Sequence, residues 1–314
     1  MMRLFATLAL ISAFAISPSA FSACITGDAL FGHPELRTLS ADFQDYTIRL
    51  YDDDVCDAKP DTPKAGFEII REGKPVASGT GYSFALGYAL QDDQSIDSAK
   101  VKIGDDITGE GIPDLLITEW SGGTHCCYTF HLFQLGAEFR MIQSIPLLDA
   151  DEATFVRRRG VTGLVLIATD YSAFANFPSG FATSPAGRVL LSFQRGRFRL
   201  DPALMHATAP KASEIRHCAG LFKKSRGWKA GPPMGMWYFA TDLIYAGHER
   251  SALEFLKTSW GGRSSDRHKY LGEYRRRLRK SAYYPEIKLL QARSPSTIDQ
   301  KIDWTKQCFE YMHG

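Results

Sequence analysis

The chain has 314 residues, of which 44% are hydrophobic and 12% aromatic. This apolar content is sufficient to fill one large hydrophobic core or two ordinary ones, so it excludes a protein without a core. The net charge of +2 conceals a split: residues 1–209 carry 17 basic and 25 acidic side chains, and residues 210–314 carry 20 and 10. We therefore predict two globular parts, an acidic one followed by a basic one.

The N-terminus predicts an export signal. A single Arg3 precedes an apolar run over residues 4–16, and small residues around Ala23 form a cleavage site. Thirteen apolar residues are too few to cross about 30 Å of hydrocarbon, and no later segment is long enough. We expect residues 1–23 to be removed and the mature chain to be periplasmic or secreted, with no transmembrane span.

Export permits disulfides, and six cysteines are available for them. Their grouping predicts one bridge in each of three regions, although fifteen pairings are formally open. Residues 21–24 also resemble a weak lipobox. In this alternative interpretation, Cys24 carries a lipid anchor. The even number of cysteines favours the unlipidated form. The six are Cys24, Cys56, Cys126, Cys127, Cys218 and Cys308.

Three segments share a pattern of strand, glycine turn and strand, which is typical of β-hairpins. Their glycines are 63 and 60 residues apart. A period near 60 residues resembles that of the blades of a β-propeller. Three units are too few for a closed propeller, so the pattern predicts an incomplete propeller or a sandwich over residues 24–206. Chance similarity within an all-β chain is the alternative. The segments are 67–76, 131–139 and 191–200, with Gly73, Gly136 and Gly196 at their turns.

An oxygen-rich loop precedes a predicted strand at residues 104–114. Side-chain oxygens alternate along it and Gly111 stands at the sixth position, as in calcium loops. An EF-hand is excluded because Ile117 occupies the twelfth position. A metal-free acidic turn is the alternative. The expected calcium ligands are the side chains of Asp106, Thr108, Glu110 and Asp114 and the carbonyl of Ile112.

This loop, with the apolar strand after it, resembles the loop of FG-GAP or VCBS-type repeats, which are β-propeller blade motifs of integrins and bacterial surface proteins. Residues 121–128, Ser-Gly-Gly-Thr-His-Cys-Cys-Tyr, extend the resemblance to bacterial exported proteins of that type, and it implies no activity. Thr108 and Glu110 stand where the family has Asp or Asn. The expected site is therefore weak, with a dissociation constant of about 10⁻⁴ to 10⁻³ M. A second copy at 160–172 follows Arg157, Arg158 and Arg159 and should bind no cation.

The histidines and cysteines near residue 126 invite a zinc or copper interpretation. On a strand, His125 and His131 would lie about 20 Å apart. One ion cannot bridge that distance. The sequence favours a vicinal disulfide between Cys126 and Cys127, and pairing with distant cysteines stays open.

Helical periodicity replaces alternation after residues 207–213, which we take as a linker to an α-helical domain at 214–314. Helices at 236–246 and 249–260 form a hairpin around Gly247. A third, at 266–282, is amphipathic and basic. It could contact an anionic envelope component or another protein, dock on the acidic front of the chain, or simply be solvated. Binding to nucleic acid is disfavoured because the chain is expected to be exported and because its sequence contains no nucleic-acid recognition motif. The basic residues are Arg275, Arg276, Arg277, Arg279 and Lys280.

No catalytic motif is found: there is no Gly-x-Ser-x-Gly, no His-Glu-x-x-His and no phosphate loop. The sequence therefore predicts an α+β multidomain protein with an antiparallel β domain and a small all-α domain. We expect an exported, non-enzymatic binding or scaffold protein of the cell envelope. The alternative is an exported, glycosidase-like hydrolase with a carboxylate site between the domains, near Asp92, Glu119 or Asp170.

Overall fold

The structure is a computed structural model that describes residues 38–52, 65–87, 101–123, 126–149, 153–178, 180, 183–225, 228, 231–294 and 299–313. Within these ranges, twelve strands come first along the chain and seven helices follow. This arrangement confirms the predicted α+β class. The predicted signal segment, Cys24, Cys56 and Asp92 lie outside the described residues.

The strands form three antiparallel sheets, each made of four consecutive strands in sequence order. All three are open sheets over the described residues. The first sheet contains β1 (Thr38–Phe43), β2 (Tyr46–Asp52), β3 (Ala65–Arg71) and β4 (Lys74–Gly81). The second contains β5 (Ser83–Leu86), β6 (Asp114–Gly123), β7 (Cys126–Leu135) and β8 (Phe139–Leu148). The third contains β9 (Thr154–Arg157), β10 (Leu164–Asp170), β11 (Gly187–Gln194) and β12 (Arg197–Leu200).

The three predicted hairpins are confirmed, and each joins the third and fourth strands of a sheet. In the first sheet both central turn residues have positive φ, 49° at Glu72 and 76° at Gly73. In the third sheet the same holds for Arg195 and Gly196, at 51° and 80°. Two positive φ angles define the mirror-image turn whose twist matches that of paired strands, which is why glycine marks these positions.

The second sheet lies between the first and the third, and its strands β6 and β7 are buried on both faces. On β6, Leu115 and Ile117 belong to the core shared with the first sheet, whereas Leu116 belongs to the core shared with the third sheet and the helices. On β7, Phe133 and Phe130 divide in the same way. Because successive side chains of a strand point to opposite faces, one apolar run supplies two cores.

Seven helices follow the third sheet, and several of them contribute to the same core as its strands. Tyr245 packs so closely on Gly187 of the third sheet that a Cβ at this glycine would lie 2.4 Å from the tyrosine ring. Phe174, after β10, stacks on Tyr274 with ring centroids 4.7 Å apart. The helices are α1 (Pro202–Met205), α2 (Ala212–Lys223), α3 (Met234–Tyr245), α4 (Glu249–Thr258), α5 (Ser264–Leu278), α6 (Tyr284–Gln291) and α7 (Trp304–His313).

The helical hairpin expected at 236–246 and 249–260 is present as α3 and α4. The predicted basic helix needs a correction at its C-terminus, since α5 ends at Leu278 and not at residue 282. Beyond it, the Ser281 hydroxyl donates to Asp170, and the Ala282 N–H donates to the Ser172 hydroxyl. These contacts turn the chain toward the third sheet and prevent further helical turns.

One disulfide joins the predicted back part to itself, as expected from the positions of its cysteines. Cys218 on α2 is bonded to Cys308 on α7 across 90 residues, and both are buried. Cys127 is also disulfide-bonded. Its partner, and with it the proposed vicinal bridge to Cys126, lies outside the described side chains.

Candidate functional site

The predicted cation loop connects β5 to β6 and lies against the turn before β10. Its ends are joined by the backbone N–H of Gly104, which donates to the Asp114 carbonyl at 2.8 Å. Gly109, with φ of 79°, touches Gly163 so closely that a Cβ would lie 2.3 Å from the Gly163 nitrogen. The loop is therefore held between the second and third sheets.

Asp114 is the most buried acid of this loop, with no exposed surface. Its Oδ2 accepts the Thr108 backbone N–H at 2.8 Å, but its Oδ1 has no hydrogen-bond partner in the described structure, and neither has the buried Thr108 hydroxyl. Burial raises the pKa of Asp114 to about 6; the neighbouring Asp106 charge contributes to this rise, and hydrogen bonds from Thr108 and Ile107 oppose it. The Thr108 hydroxyl is close enough to oppose this rise in pKa without a well-formed hydrogen bond. Two oxygens thus lie buried and unpaired beside each other.

The other predicted ligands are divided by the structure. Asp106 accepts the backbone N–H groups of Gly109 at 2.7 Å and Gly111 at 3.0 Å, and so closes the turn. Glu110 instead extends toward the second sheet, where it accepts hydrogen bonds from Gln134 at 3.0 Å and Arg140 at 3.1 Å.

The donor set therefore fits a calcium ion in part. Asp106, Thr108 and Asp114 share one turn, half-buried Ile112 lies on the same loop, and Glu110 is engaged elsewhere. No cluster of three or more His, Cys, Asp or Glu suited to a metal occurs in the part of the chain that the structure describes. A fit depends on the Thr108 hydroxyl and on backbone carbonyls, which is the oxygen chemistry that calcium accepts.

His131 takes part in a network of hydrogen bonds across three strands. Its Nε2 lies 2.8 Å from a Glu119 oxygen and its Nδ1 lies 2.8 Å from the Ser144 hydroxyl. No local sequence pattern indicated these hydrogen bonds, because they depend on how β6, β7 and β8 pair. His125 lies outside the described residues. Ser144 is exposed on β8 and does not line the cleft described next.

A cleft of about 830 Å³ lies between the third sheet and the helices. Its floor is formed by β10 and β11, and its walls by α3, α7 and the segment at 299–302. The sequence could not locate it, because the lining residues are spread from position 149 to position 311. Its main polar and aromatic residues are Arg188, Tyr238, Asp242, Gln300, Gln307 and Tyr311.

Asp242 is the best-defined polar group of the cleft. Its Oδ2 accepts the Tyr311 hydroxyl at 2.5 Å and the side-chain amide of Gln307. Burial raises the pKa of Asp242 to about 6, although these two hydrogen bonds lower it. Across the cleft edge, the Tyr238 ring lies 5.6 Å from the Tyr311 ring, and burial raises the pKa of Tyr238.

Of the acids named for a hydrolase, Glu119 and Asp170 do not line this cleft, and Asp92 lies outside the described residues. Asp170 is buried and accepts hydroxyl hydrogen bonds from Tyr245 at 2.6 Å and Ser281 at 2.5 Å, which ties the third sheet to the helices. Glu119 binds His131 in the second sheet. A cleft between strands and helices does exist, but the acid with a raised pKa that lines it is Asp242.

The predicted basic residues, at the C-terminal end of α5 and just after it, fall into two groups. Glu273 binds Arg276 at 2.6 Å and Arg277 at 2.5 Å, and these arginines lower its pKa to about 2. Arg277 also donates to the carbonyl of Ala175 and lies over the Phe177 ring at 5.6 Å. In contrast, the remaining three are exposed and form no ion pair with any described residue: Arg275, Arg279 and Lys280.

No protein-family model, no curated protein and no solved structure matches this chain. Over the described ranges, none of the helices has both the length and the apolar character that crossing a bilayer requires.

Proposed function

We propose that this chain is an exported, non-catalytic binding or scaffold protein of the cell envelope, which attaches to an anionic envelope component through the C-terminal end of α5 and the two residues that follow it. The observation that carries the proposal is the exposure of Arg275, Arg279 and Lys280 without ion pairs in the described structure. We call these three residues the basic face.

The basic face lies at the C-terminal end of a well-packed helix, with Arg275 in α5 and Arg279 and Lys280 directly after it. Tyr274 and Leu278 of α5 are buried, and Arg277 is bound to the loop after β10. A rigid helix loses little entropy when its charges meet a partner. Each basic group near an anionic surface contributes about 1 kcal/mol, so three give an attraction of about 3 kcal/mol that weakens with salt.

Export is supported by the predicted signal at 1–23, and the Cys218–Cys308 disulfide is compatible with it. The resemblance to FG-GAP or VCBS-type repeats is part of the same proposal. Periplasmic, secreted and lipid-anchored forms all leave the basic face available.

The acidic loop is proposed to bind calcium weakly. Asp106, Thr108 and Asp114, with the Ile112 carbonyl, would hold the ion, and the ion would neutralise the two neighbouring carboxylates. The loop lies between the second and third sheets, so its occupancy would stabilise the fold and would not transform a substrate.

Vesicle sedimentation tests the basic face. We expect the mature protein to sediment with vesicles of anionic phosphatidylglycerol at low salt and not with neutral phosphatidylcholine. The variant R275E/R279E/K280E should lose at least tenfold in binding. The matched control is R157E/R158E/R159E, which reverses three exposed arginines at the end of β9 and in the turn after it and changes the net charge equally. Equal losses in both variants would contradict a specific face.

The second candidate function is an exported hydrolase, which the position of Asp242 in the cleft favours. A carboxyl whose pKa is about 6 suits a general acid near neutral pH. Release of reducing ends from a polysaccharide by the wild type, and its loss in Asp242→Asn, would support this candidate over a purely binding role.

A further inference from the structure

We propose that the cleft between the third sheet and the helices binds a saccharide. This class of ligand offers hydroxyl groups together with an apolar ring face. The inference goes beyond the basic-face proposal and does not depend on it, because the basic face contributes no lining residue. It concerns binding and holds whether or not the bound saccharide is cleaved.

The cleft has the size and mixed lining of a small-molecule site. Its volume of about 830 Å³ lies within the range of about 300 to 1,000 Å³ that such sites occupy. Ile167, Leu190 and Ile302 contribute apolar surface to the lining. The same lining contains tyrosine, carboxyl, amide and guanidinium groups. A purely apolar ligand would leave those polar groups without partners, which is costly.

Asp242 offers a ligand one positioned oxygen. Both of its side-chain hydrogen bonds, from Tyr311 and Gln307, end on Oδ2. Asp242 lines the cleft, and its Oδ1 accepts no hydrogen bond from a described residue. Because two neighbours fix the carboxyl, little order has to be created when a hydroxyl group binds to it.

The two tyrosines at the edge supply the apolar contact. The rings of Tyr238 and Tyr311 are tilted by 32° with centroids 5.6 Å apart, and the Tyr238 hydroxyl makes no hydrogen bond within the described structure. An aromatic face can cover the C–H side of a sugar ring while the phenol oxygen binds one of its hydroxyl groups. A saccharide meets both requirements with a single unit.

Charge favours a neutral ligand. Arg188, Asp149 and Asp242 all line the same cleft. Because the lining carries both signs of charge, neither an anion nor a cation finds a uniform surrounding. Since the pKa of Asp242 is about 6, its carboxyl changes protonation near neutral pH. A sugar hydroxyl both donates and accepts, and it can therefore pair with either form.

The test uses trisaccharides as probes of the mature protein. Maltotriose, cellotriose and N-acetylated chitotriose are titrated by calorimetry and saturation-transfer NMR at pH 5 and pH 7.5, together with the deacetylated, amine-bearing chitotriose. We expect at least one neutral trisaccharide to bind at millimolar concentration or below. Asp242→Asn should weaken it tenfold or more. Tyr238→Phe, which removes one hydroxyl, should weaken it by about threefold.

Controls separate this inference from the others. The R275E/R279E/K280E variant should bind the trisaccharide as the wild type does, so loss of vesicle binding alone leaves the cleft proposal standing. If Asp242→Asn does not fold, as judged by its thermal melt, Tyr238→Phe decides. The proposal is overturned if no neutral trisaccharide binds, if only the amine-bearing one binds, or if both substitutions leave the affinity unchanged.

Discussion

Asp114 is the acid of the loop whose burial is least offset by hydrogen bonds. A carboxylate without exposed surface keeps one oxygen unpaired and lies near a second acid, Asp106. A rise of its pKa from 3.8 to about 6 corresponds to a cost of up to about 3 kcal/mol for the charged form at pH 7. An oxygen-seeking cation would remove that cost, whereas an empty loop retains it.

We predict opposite responses of Asp114→Asn with and without calcium. In EDTA at pH 7.5 the substitution should raise the free energy of unfolding by up to about 3 kcal/mol, because a buried charge is removed while the Thr108 N–H keeps an acceptor. In calcium, the wild type should gain about 1.4 kcal/mol at ten times the dissociation constant. Asp114→Asn should gain nothing. Thermal and urea melts measure both effects.

Asp105→Asn is the matched control for this prediction, because Asp105 lies in the same loop but is not an expected ligand. It accepts the backbone N–H of Lys102, and its substitution should leave the calcium response in place. Identical wild-type melts in calcium and in EDTA would show that the loop holds no calcium.

The stability of the Asp114→Asn variant relative to the wild type should also depend on pH in EDTA. Between pH 3.8 and about 6 the folded protein keeps a proton on Asp114 that the unfolded chain has lost. The contribution of Asp114 to stability therefore falls as pH rises through this window and is constant above it. The stability advantage of Asp114→Asn over the wild type should grow from pH 4 to about pH 6.5 and then level off. An advantage that is independent of pH would mean that the raised pKa is not its cause.

Among the elements, those that depend on local signals were predictable from the sequence. Glycine at positive φ marked two of the hairpins, and helical spacing on both sides of Gly247 marked α3 and α4. Contacts between distant segments were not predictable. The bonds of His131 to Glu119 and Ser144 depend on strand register. The cleft depends on how α7 meets the third sheet, which no local pattern encodes.

The loop itself was located correctly, but the roles of its residues were only partly accessible. Alternating oxygens identified Asp106 and Asp114, whose charges do influence each other. The sequence could not show that Glu110 would be drawn to Arg140 on β8, since that arginine is 30 residues away. It also could not show that the loop would rest on Gly163 of the neighbouring sheet.

At this contact we predict that Gly163→Ala loosens the loop from the third sheet. An added Cβ would lie 2.5 Å from the Ile107 carbonyl oxygen, which already accepts the Leu164 N–H at 2.9 Å. Backbone atoms cannot rotate away, so we expect a loss of about 1 to 3 kcal/mol in the free energy of unfolding. The calcium-dependent gain in stability should also disappear, because the loop is displaced.

Gly160→Ala, in the same turn, is the control. Its φ is 83° but its Cβ would meet nothing within 4 Å, so it carries the conformational cost alone. It should retain the calcium response. A Gly163→Ala variant that responds to calcium like the wild type would show that the loop does not depend on this contact.

For the molecule as a whole, the core is continuous where the sequence predicted a boundary. Buried side chains extend from the second sheet through the third sheet into α3, α4 and α7. Ala207, at the start of the predicted linker, is fully buried and paired with Gln300. The basic face and the cleft are therefore carried by one packed body, and strain in the helices should reach the third sheet.

The Cys218–Cys308 disulfide provides the test of this coupling. It joins α2 to α7 across 90 residues, and closing a loop of this length restricts the unfolded chain by about 4 to 5 kcal/mol. We expect Cys218→Ala/Cys308→Ala to lose stability of this order in urea. Because the core is shared, circular dichroism of the helices and fluorescence of the tryptophans should report one coincident transition in the wild type and in the variant. A variant whose helices melt well before its sheets would show that the two parts fold as separate domains, each stable without the other.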